Sequence, residues 1–322
     1  MRYARALPLM ILANVLGAIG STPLVRLNRV VPPGCAEVVA KLEYVAPGGS
    51  VKDRAALSMI VDAEDRGLLT PGATIVEASG GNTGVGLALV CAVRGYRCII
   101  VVPETMSSEK RSVLEALGAE VVTARVDVES CDPEGYIGKA EALARELSAF
   151  APDQFENPAN ARAHYTTTGL EILDACEGKV DAFVACVGSG GTLGGITRLF
   201  RERVPHARLV GAMPDRMHCG GAHGHTLVEG IVDDLVGCEG QGVGPDEVIA
   251  VPDAQAVAMT LRLAREEGIL AGGSAGVAVF AAIEVARRLG PGKRVVTLLA
   301  DTGRNYLSTY FNRAWRERHG MT

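Results

Sequence analysis

Twice in this chain an apolar, β-branched run stops at a glycine-rich turn and gives way to a helical pattern, and these two joins restrict the fold more than any other feature. The first follows the strand-like Ala73-Thr74-Ile75-Val76, where Glu77-Ala78-Ser79-Gly80-Gly81-Asn82-Thr83-Gly84 leads into the helix-like run Val85 to Val93. The second follows the apolar run Ala182 to Val187, where Gly188-Ser189-Gly190-Gly191-Thr192 opens a helix from about Leu193. Such a turn gathers backbone N–H groups around one point at the positive end of a helix, so it can hold a carboxylate or a phosphate. Asn82 and Thr83 add side-chain donors to the first turn. Glycine also serves tight connections for steric reasons alone, so either turn by itself decides little.

The rest of the chain repeats the alternation. Strand candidates are Ala36 to Leu42, Ala73 to Val76, Cys98 to Val102, Glu120 to Thr123, Ala182 to Val187, Leu209 to Met213 and Val295 to Leu299. Helix-like stretches include Ser108 to Leu117, Gly138 to Ser148, Arg162 to Cys176 and Ala254 to Glu267. Strands alternating with helices predict an α/β fold with mostly parallel sheets flanked by helices, and ligands at the carboxyl ends of the strands. With 322 residues, 48% of them apolar, the chain can bury a large core in one or two domains.

Net charge is -5 with no basic run, which excludes nucleic acid or an anionic membrane as the expected partner. Eight cysteines are scattered without a C-x-x-C pair, a pattern that fits reduced thiols in the cytoplasm. Met1-Arg2-Tyr3-Ala4-Arg5 followed by the mostly apolar Ala6 to Ile19 has the outline of a secretory leader, but no A-x-A site follows. Met217 to His225 collects His218, Cys219, His223 and His225, yet the spacing matches no standard structural zinc site, and no metal is expected.

Among the six lysines, Lys52 alone lies between a Gly48-Gly49-Ser50 turn and a helix start, at Asp53. The positive end of the helix dipole disfavours an ammonium there and moves the amine toward its nucleophilic form, as an imine-forming lysine requires. A solvated lysine in a tight turn is the alternative from this octapeptide alone.

Taken with Lys52, the two turns resemble the cysteine synthase and cystathionine β-synthase family of pyridoxal-phosphate enzymes, of fold type II. The resemblance runs from Gly20-Ser21-Thr22-Pro23-Leu24-Val25-Arg26-Leu27 to Asp301-Thr302-Gly303-Arg304-Asn305-Tyr306-Leu307, with the motifs in family order. It implies two α/β domains of the tryptophan synthase β-like kind, residues 1–157 with the Schiff-base lysine and the carboxylate loop, and residues 158–322 with the phosphate loop. It implies pyridoxal 5'-phosphate held covalently by Lys52, its ring hydroxyl bonded by Asn82, its phosphate cradled by Gly188, Ser189, Gly190, Gly191 and Thr192, and its ring nitrogen facing Ser274. Ser79, Gly80, Gly81, Asn82, Thr83 and Gln154 would hold the substrate carboxylate, and Gly230 would border the site. A neutral hydroxyl at the ring nitrogen makes a weaker electron sink than an aspartate, which suits loss of a β-leaving group more than transamination. Ser274 could equally cap the helix beginning near Ala275.

The implied reaction is β-replacement on L-serine or an O-activated serine through a bound aminoacrylate, with a nucleophilic co-substrate and a homodimeric assembly. Elimination without replacement and an amine nucleophile remain open. Neither turn fits G-x-G-x-x-G with an acidic residue about 20 positions on, which argues against a nucleotide-binding dehydrogenase. Two departures bear on substrate. Gly80 stands where the family usually has serine, which removes a hydroxyl and is expected to open space; Gly230-Ile231-Val232, followed by Asp233-Asp234, replaces Gly-Ile-Gly. Glu229 and Ser107-Ser108-Glu109-Lys110 match the cystathionine β-synthase pattern better than that of the plain sulfhydrylases.

Overall fold

In a computed structural model, which describes residues 11–215, 226–231 and 244–321, the alternation resolves into two sheets. The strands are β1 Leu24–Arg26, β2 Glu37–Leu42, β3 Thr74–Ala78, β4 Arg97–Pro103, β5 Glu120–Ala124, β6 Ala182–Cys186, β7 Arg208–Pro214, β8 Glu247–Val251 and β9 Arg294–Leu299. Six form one sheet in the order β1-β2-β9-β6-β7-β8, and three form a second in the order β3-β4-β5. Every pairing is parallel except β1 with β2. Parallel strands buried on both faces need continuous apolar runs, and β6, β7 and β9 supply them with Phe183, Val184, Leu209, Val210, Val295 and Val296 in the core.

The division expected at residue 157 does not separate these sheets. Strand β2 pairs along its whole length with β9, Glu37 opposite Arg294 through Leu42 opposite Leu299, so residues 24–42 belong to the large sheet. Only β3 to β5, with their helices, form the smaller unit. The run expected as one helix from Arg162 to Cys176 is instead Pro158–Ala163, a π-helical turn His164–Thr168 and Gly169–Ala175. Its start is readable in retrospect: Asn157 accepts the Ala159 N–H at 3.0 Å and Pro158 takes the first helical position.

Both glycine-rich turns stand at carboxyl ends of parallel strands. One joins β3 to the helix Asn82–Arg94, and the other joins β6 to the helix Gly191–Arg203. Lys52 begins the helix Lys52–Asp65, which packs on Asn82–Arg94. A fourth helix, Gly273–Leu289, buries Ser274 at its start.

Candidate active site

Lys52 is the first residue of its helix, and its backbone N–H donates to Ser50 Oγ at 3.2 Å. The turn before it is closed by Asp53, whose carboxylate accepts the Gly48 N–H at 2.6 Å. Two residues on, Arg54 donates to Glu43 at 2.8 Å and to Glu171 at 2.7 Å, and Lys41 of β2 donates to Glu171 at 2.7 Å. This buried network, opposite charges paired within hydrogen-bond distance, pins the lysine-bearing helix to the large sheet.

From that anchor the Lys52 amine reaches Ser189 Oγ at 2.7 Å. Burial pulls its pKa from 10.5 down to about 8, and the Glu77 carboxylate opposes the shift. The lowered pKa expected from the helix dipole is therefore present, with burial as its main cause.

Lys52 opens into a cavity of about 380 Å³ whose wall includes Ser79, Gly80, Gly81, Asn82, Thr83, Gln154, Ser189 and Gly230. Residues predicted from five separate stretches of sequence, at 52, 79–83, 154, 189 and 230, are thus brought together. Thr83 donates to Gln154 Oε1 at 2.6 Å, which leaves the Gln154 Nε2 end available to donate. Ser79 turns its oxygen back on its own loop, accepting from Gly84 N at 3.0 Å and Gly81 N at 3.3 Å, so it satisfies N–H groups where the helix Asn82–Arg94 begins. Asn82 donates to Asp301 Oδ2 at 2.9 Å, and Tyr306 donates to the same oxygen at 2.7 Å. Burial raises the pKa of Asp301, while these two donors and Lys110 oppose the rise.

Gly188, Gly190, Gly191 and Thr192 surround Ser189 at the start of the helix Gly191–Arg203. Gly190 has φ +77°, a conformation glycine adopts without strain, and a Cβ on Gly191 would overlap the Asn160 amide. The first N–H groups of a helix have no partner within it, so this turn presents donors to an anion. Ser274 lies in the first turn of its own helix, behind β6, where Cys186 donates to its carbonyl at 3.1 Å. Capping does not explain it: that helix is capped at Gly272 without a side-chain bond.

Gly80 is a correction. The position where its side chain would stand is not open: a Cβ there would meet Pro103 Cγ and Cδ at 3.0 Å. Val232, Asp233, Asp234 and the 217–225 segment lie outside the described residues. At the cavity wall Lys110 pairs with Glu229 and lies over the Tyr306 ring, 4.9 Å from its centroid.

Two buried residues of consequence went unnoticed in the sequence. Glu77, near the end of β3, accepts the Asp153 N–H at 2.9 Å, and burial raises its pKa from 4.5 to about 8. Asn160 joins Gln154 to Ser189. A carboxylate inside an apolar strand was the available signal for Glu77; nothing local marks Asn160.

A buried, partly neutral amine beside an anion-binding helix start, facing a loop of amide and hydroxyl donors, defines an enzyme that holds a phosphate-bearing carbonyl cofactor on a lysine. The family described as Pyridoxal-phosphate dependent enzyme matches residues 15–301. A cysteine synthase of Staphylococcus aureus is 46% identical over 299 residues, 92% of this chain and 96% of that protein. A cystathionine beta-synthase of Apis mellifera is 42% identical, covering 97% of this chain and 64% of that one. Among solved structures, O-ureido-L-serine synthase superposes with TM-score 0.87 at 38% identity, covering 93% of this chain and 95% of that one. The O-acetylserine dependent cystathionine beta-synthase from Helicobacter pylori gives TM-score 0.87 at 36% identity, covering 94% and 99%. The chain belongs to the pyridoxal-phosphate-dependent enzymes of fold type II, and its cofactor is pyridoxal 5'-phosphate.

Proposed function

We propose that this enzyme replaces the β-substituent of L-serine or an O-activated L-serine, such as O-acetylserine or O-phosphoserine, with a thiol or another nucleophile. One observation carries the reading: the buried Lys52 amine lies 2.7 Å from Ser189 of the phosphate turn and shares a cavity with Thr83 and Gln154. Its similarity to a cysteine synthase, a cystathionine beta-synthase, an O-ureido-L-serine synthase and an O-acetylserine dependent cystathionine beta-synthase supports it.

Bound pyridoxal phosphate supplies the electron sink that makes the α-proton of an amino acid removable. Lys52 would hold the cofactor covalently and, once free, take and return that proton, for which a pKa of about 8 leaves a usable fraction of neutral amine near neutrality. The 188–192 turn holds the phosphate through backbone N–H groups, and Ser189 adds a hydroxyl. Asn82 would hold the ring hydroxyl and Ser274 the ring nitrogen, where a neutral hydroxyl would leave the ring unprotonated and favour β-chemistry. The 79–83 loop and Gln154 bind the substrate carboxylate, and Gly230 lines the same cavity. We place the enzyme in the cytoplasm as a homodimer; the six cysteines among the described residues, all free thiols, support the compartment, and light scattering measures the assembly.

The test is a product survey. O-acetylserine, O-phosphoserine and serine are each offered with hydrosulfide, homocysteine and an amine. A substituted amino acid that changes with the nucleophile is expected. Pyruvate and ammonia at the same rate with every nucleophile would replace this reading with simple elimination.

A further inference from the structure

We propose that Asn160 is a positioning residue that ties the phosphate turn to the substrate-carboxylate loop through one buried amide; this rests on the β-replacement reading above. Asn160 is 2% exposed, in the helix Pro158–Ala163. Both hydrogens of its Nδ2 are used: one goes to the Gln154 carbonyl at 2.8 Å and the other to Ser189 Oγ at 3.1 Å. Its Oδ1 accepts nothing and lies against the backbone of Gly191, in space that only glycine leaves free.

Each contact has a chemical consequence. Ser189 Oγ accepts from Asn160 and, at 2.7 Å, from Lys52. With both lone pairs so occupied, the hydroxyl proton is the part of Ser189 left to donate, which is the polarity a phosphate requires. When Lys52 leaves Ser189 to bond the cofactor, Asn160 remains to hold the hydroxyl in that orientation. On the other side, Asn160 fixes the peptide of Gln154, whose side chain accepts from Thr83 at 2.6 Å. Asp153, just before it, has φ +47°, a left-handed conformation costly for a non-glycine residue, and Glu77 holds its N–H at 2.9 Å. Gln154 is therefore held from two sides, by Glu77 through Asp153 and by Asn160 directly.

The signature of a positioning role is that one substitution moves two subsites. Cofactor affinity is measured by titrating apoprotein with pyridoxal phosphate and following protein fluorescence; KM and kcat are measured with O-acetylserine. Asn160→Ala should weaken cofactor binding about tenfold and raise KM about tenfold, with a smaller change in kcat. Ser189→Ala should weaken cofactor binding without the tenfold rise in KM. In the double variant the cofactor Kd should be no worse than in Ser189→Ala, because Asn160 acts on the phosphate through that hydroxyl. Multiplied effects on Kd, or a KM unmoved by Asn160→Ala, would overturn the proposal. If the alanine variant does not fold, as judged by circular dichroism of the apoprotein, Asn160→Asp decides, since it keeps the volume and loses both donors. Wild-type protein that takes up no cofactor, or consumes no serine derivative, would instead refute the β-replacement reading.

Discussion

The 188–192 turn grows from β6, inside the six-stranded sheet, whereas the 79–83 loop grows from β3, at the edge of the three-stranded one. In the first, glycine is demanded by geometry: Gly190 has φ +77° and Gly191 touches Asn160. In the second, side chains set the shape, with Ser79 accepting the Gly84 N–H and Thr83 bonded to Gln154. The small unit meets the large one across the cavity through polar ties, Asn82 to Asp301 and Lys110 to Glu229. Both ties end on carboxylates, and hydrogen bonds to charged groups contribute about 1.5 to 3 kcal/mol each. Two turns of similar composition thus differ in construction: the proposed phosphate subsite is shaped by backbone on the six-stranded sheet, and the proposed carboxylate subsite by side chains on the three-stranded one.

Removing the residue between the two subsites should have the largest effect. Lys52→Ala should lower turnover about a thousandfold or more, since it deletes the proton-transfer group, while the backbone-defined turn still takes up cofactor. Turnover and the visible lysine-linked band check this. Full activity in the variant would remove the mechanism altogether.

The backbone character of the phosphate turn is sharpened by a pair of alanines. Gly191→Ala must displace Asn160 and should weaken cofactor binding by about 1 to 3 kcal/mol, the usual cost of overpacking. Gly81→Ala, whose added Cβ meets nothing within 4 Å, should affect amino-acid KM more than cofactor Kd. Equal effects on Kd would erase the distinction between the turns.

Gly80→Ser should have the smallest effect. The new side chain must push Pro103 aside, so a several-fold rise in KM is expected, roughly 1 kcal/mol, rather than a restored carboxylate contact. Tighter amino-acid binding would show that Pro103 yields easily and that the family's missing hydroxyl can simply be put back.

The central strands were legible because buried parallel strands are written as unbroken apolar runs, as in Ala182 to Val187 and Val295 to Leu299. Strand β1 was missed, being three residues long and only partly buried, and β8, Glu247–Val251, lacks a sustained buried run. The assignment of β1 and β2 to the large sheet depends on β2 finding β9, more than 250 residues later in the chain, and no local pattern encodes that. In the site, Lys52 and both turns could be read because glycine and lysine mark special backbone and chemistry. Asp301 and Asn160 could not, since a polar residue acquires its role from what packs against it, and Glu77 showed in the sequence only as a carboxylate inside an apolar strand, without its partners. Gly80 shows the same limit from the other side: a missing side chain reads as space until Pro103 is seen to fill it.

The claim that everything turns on a buried Lys52 amine is tested most directly by its attachment to cofactor. Apoprotein is mixed with pyridoxal phosphate across a pH series, the linkage is trapped with borohydride, and the labelled peptide is identified by mass spectrometry. A lysine whose pKa lies at about 8 is protonated below that pH and nucleophilic above it, so the attachment rate should rise with pH and reach half its maximum near pH 8. The label should fall on the peptide containing Lys52. A label on Lys41, Lys110 or another of the six lysines, or a midpoint near the ordinary lysine value of 10.5, would contradict the account.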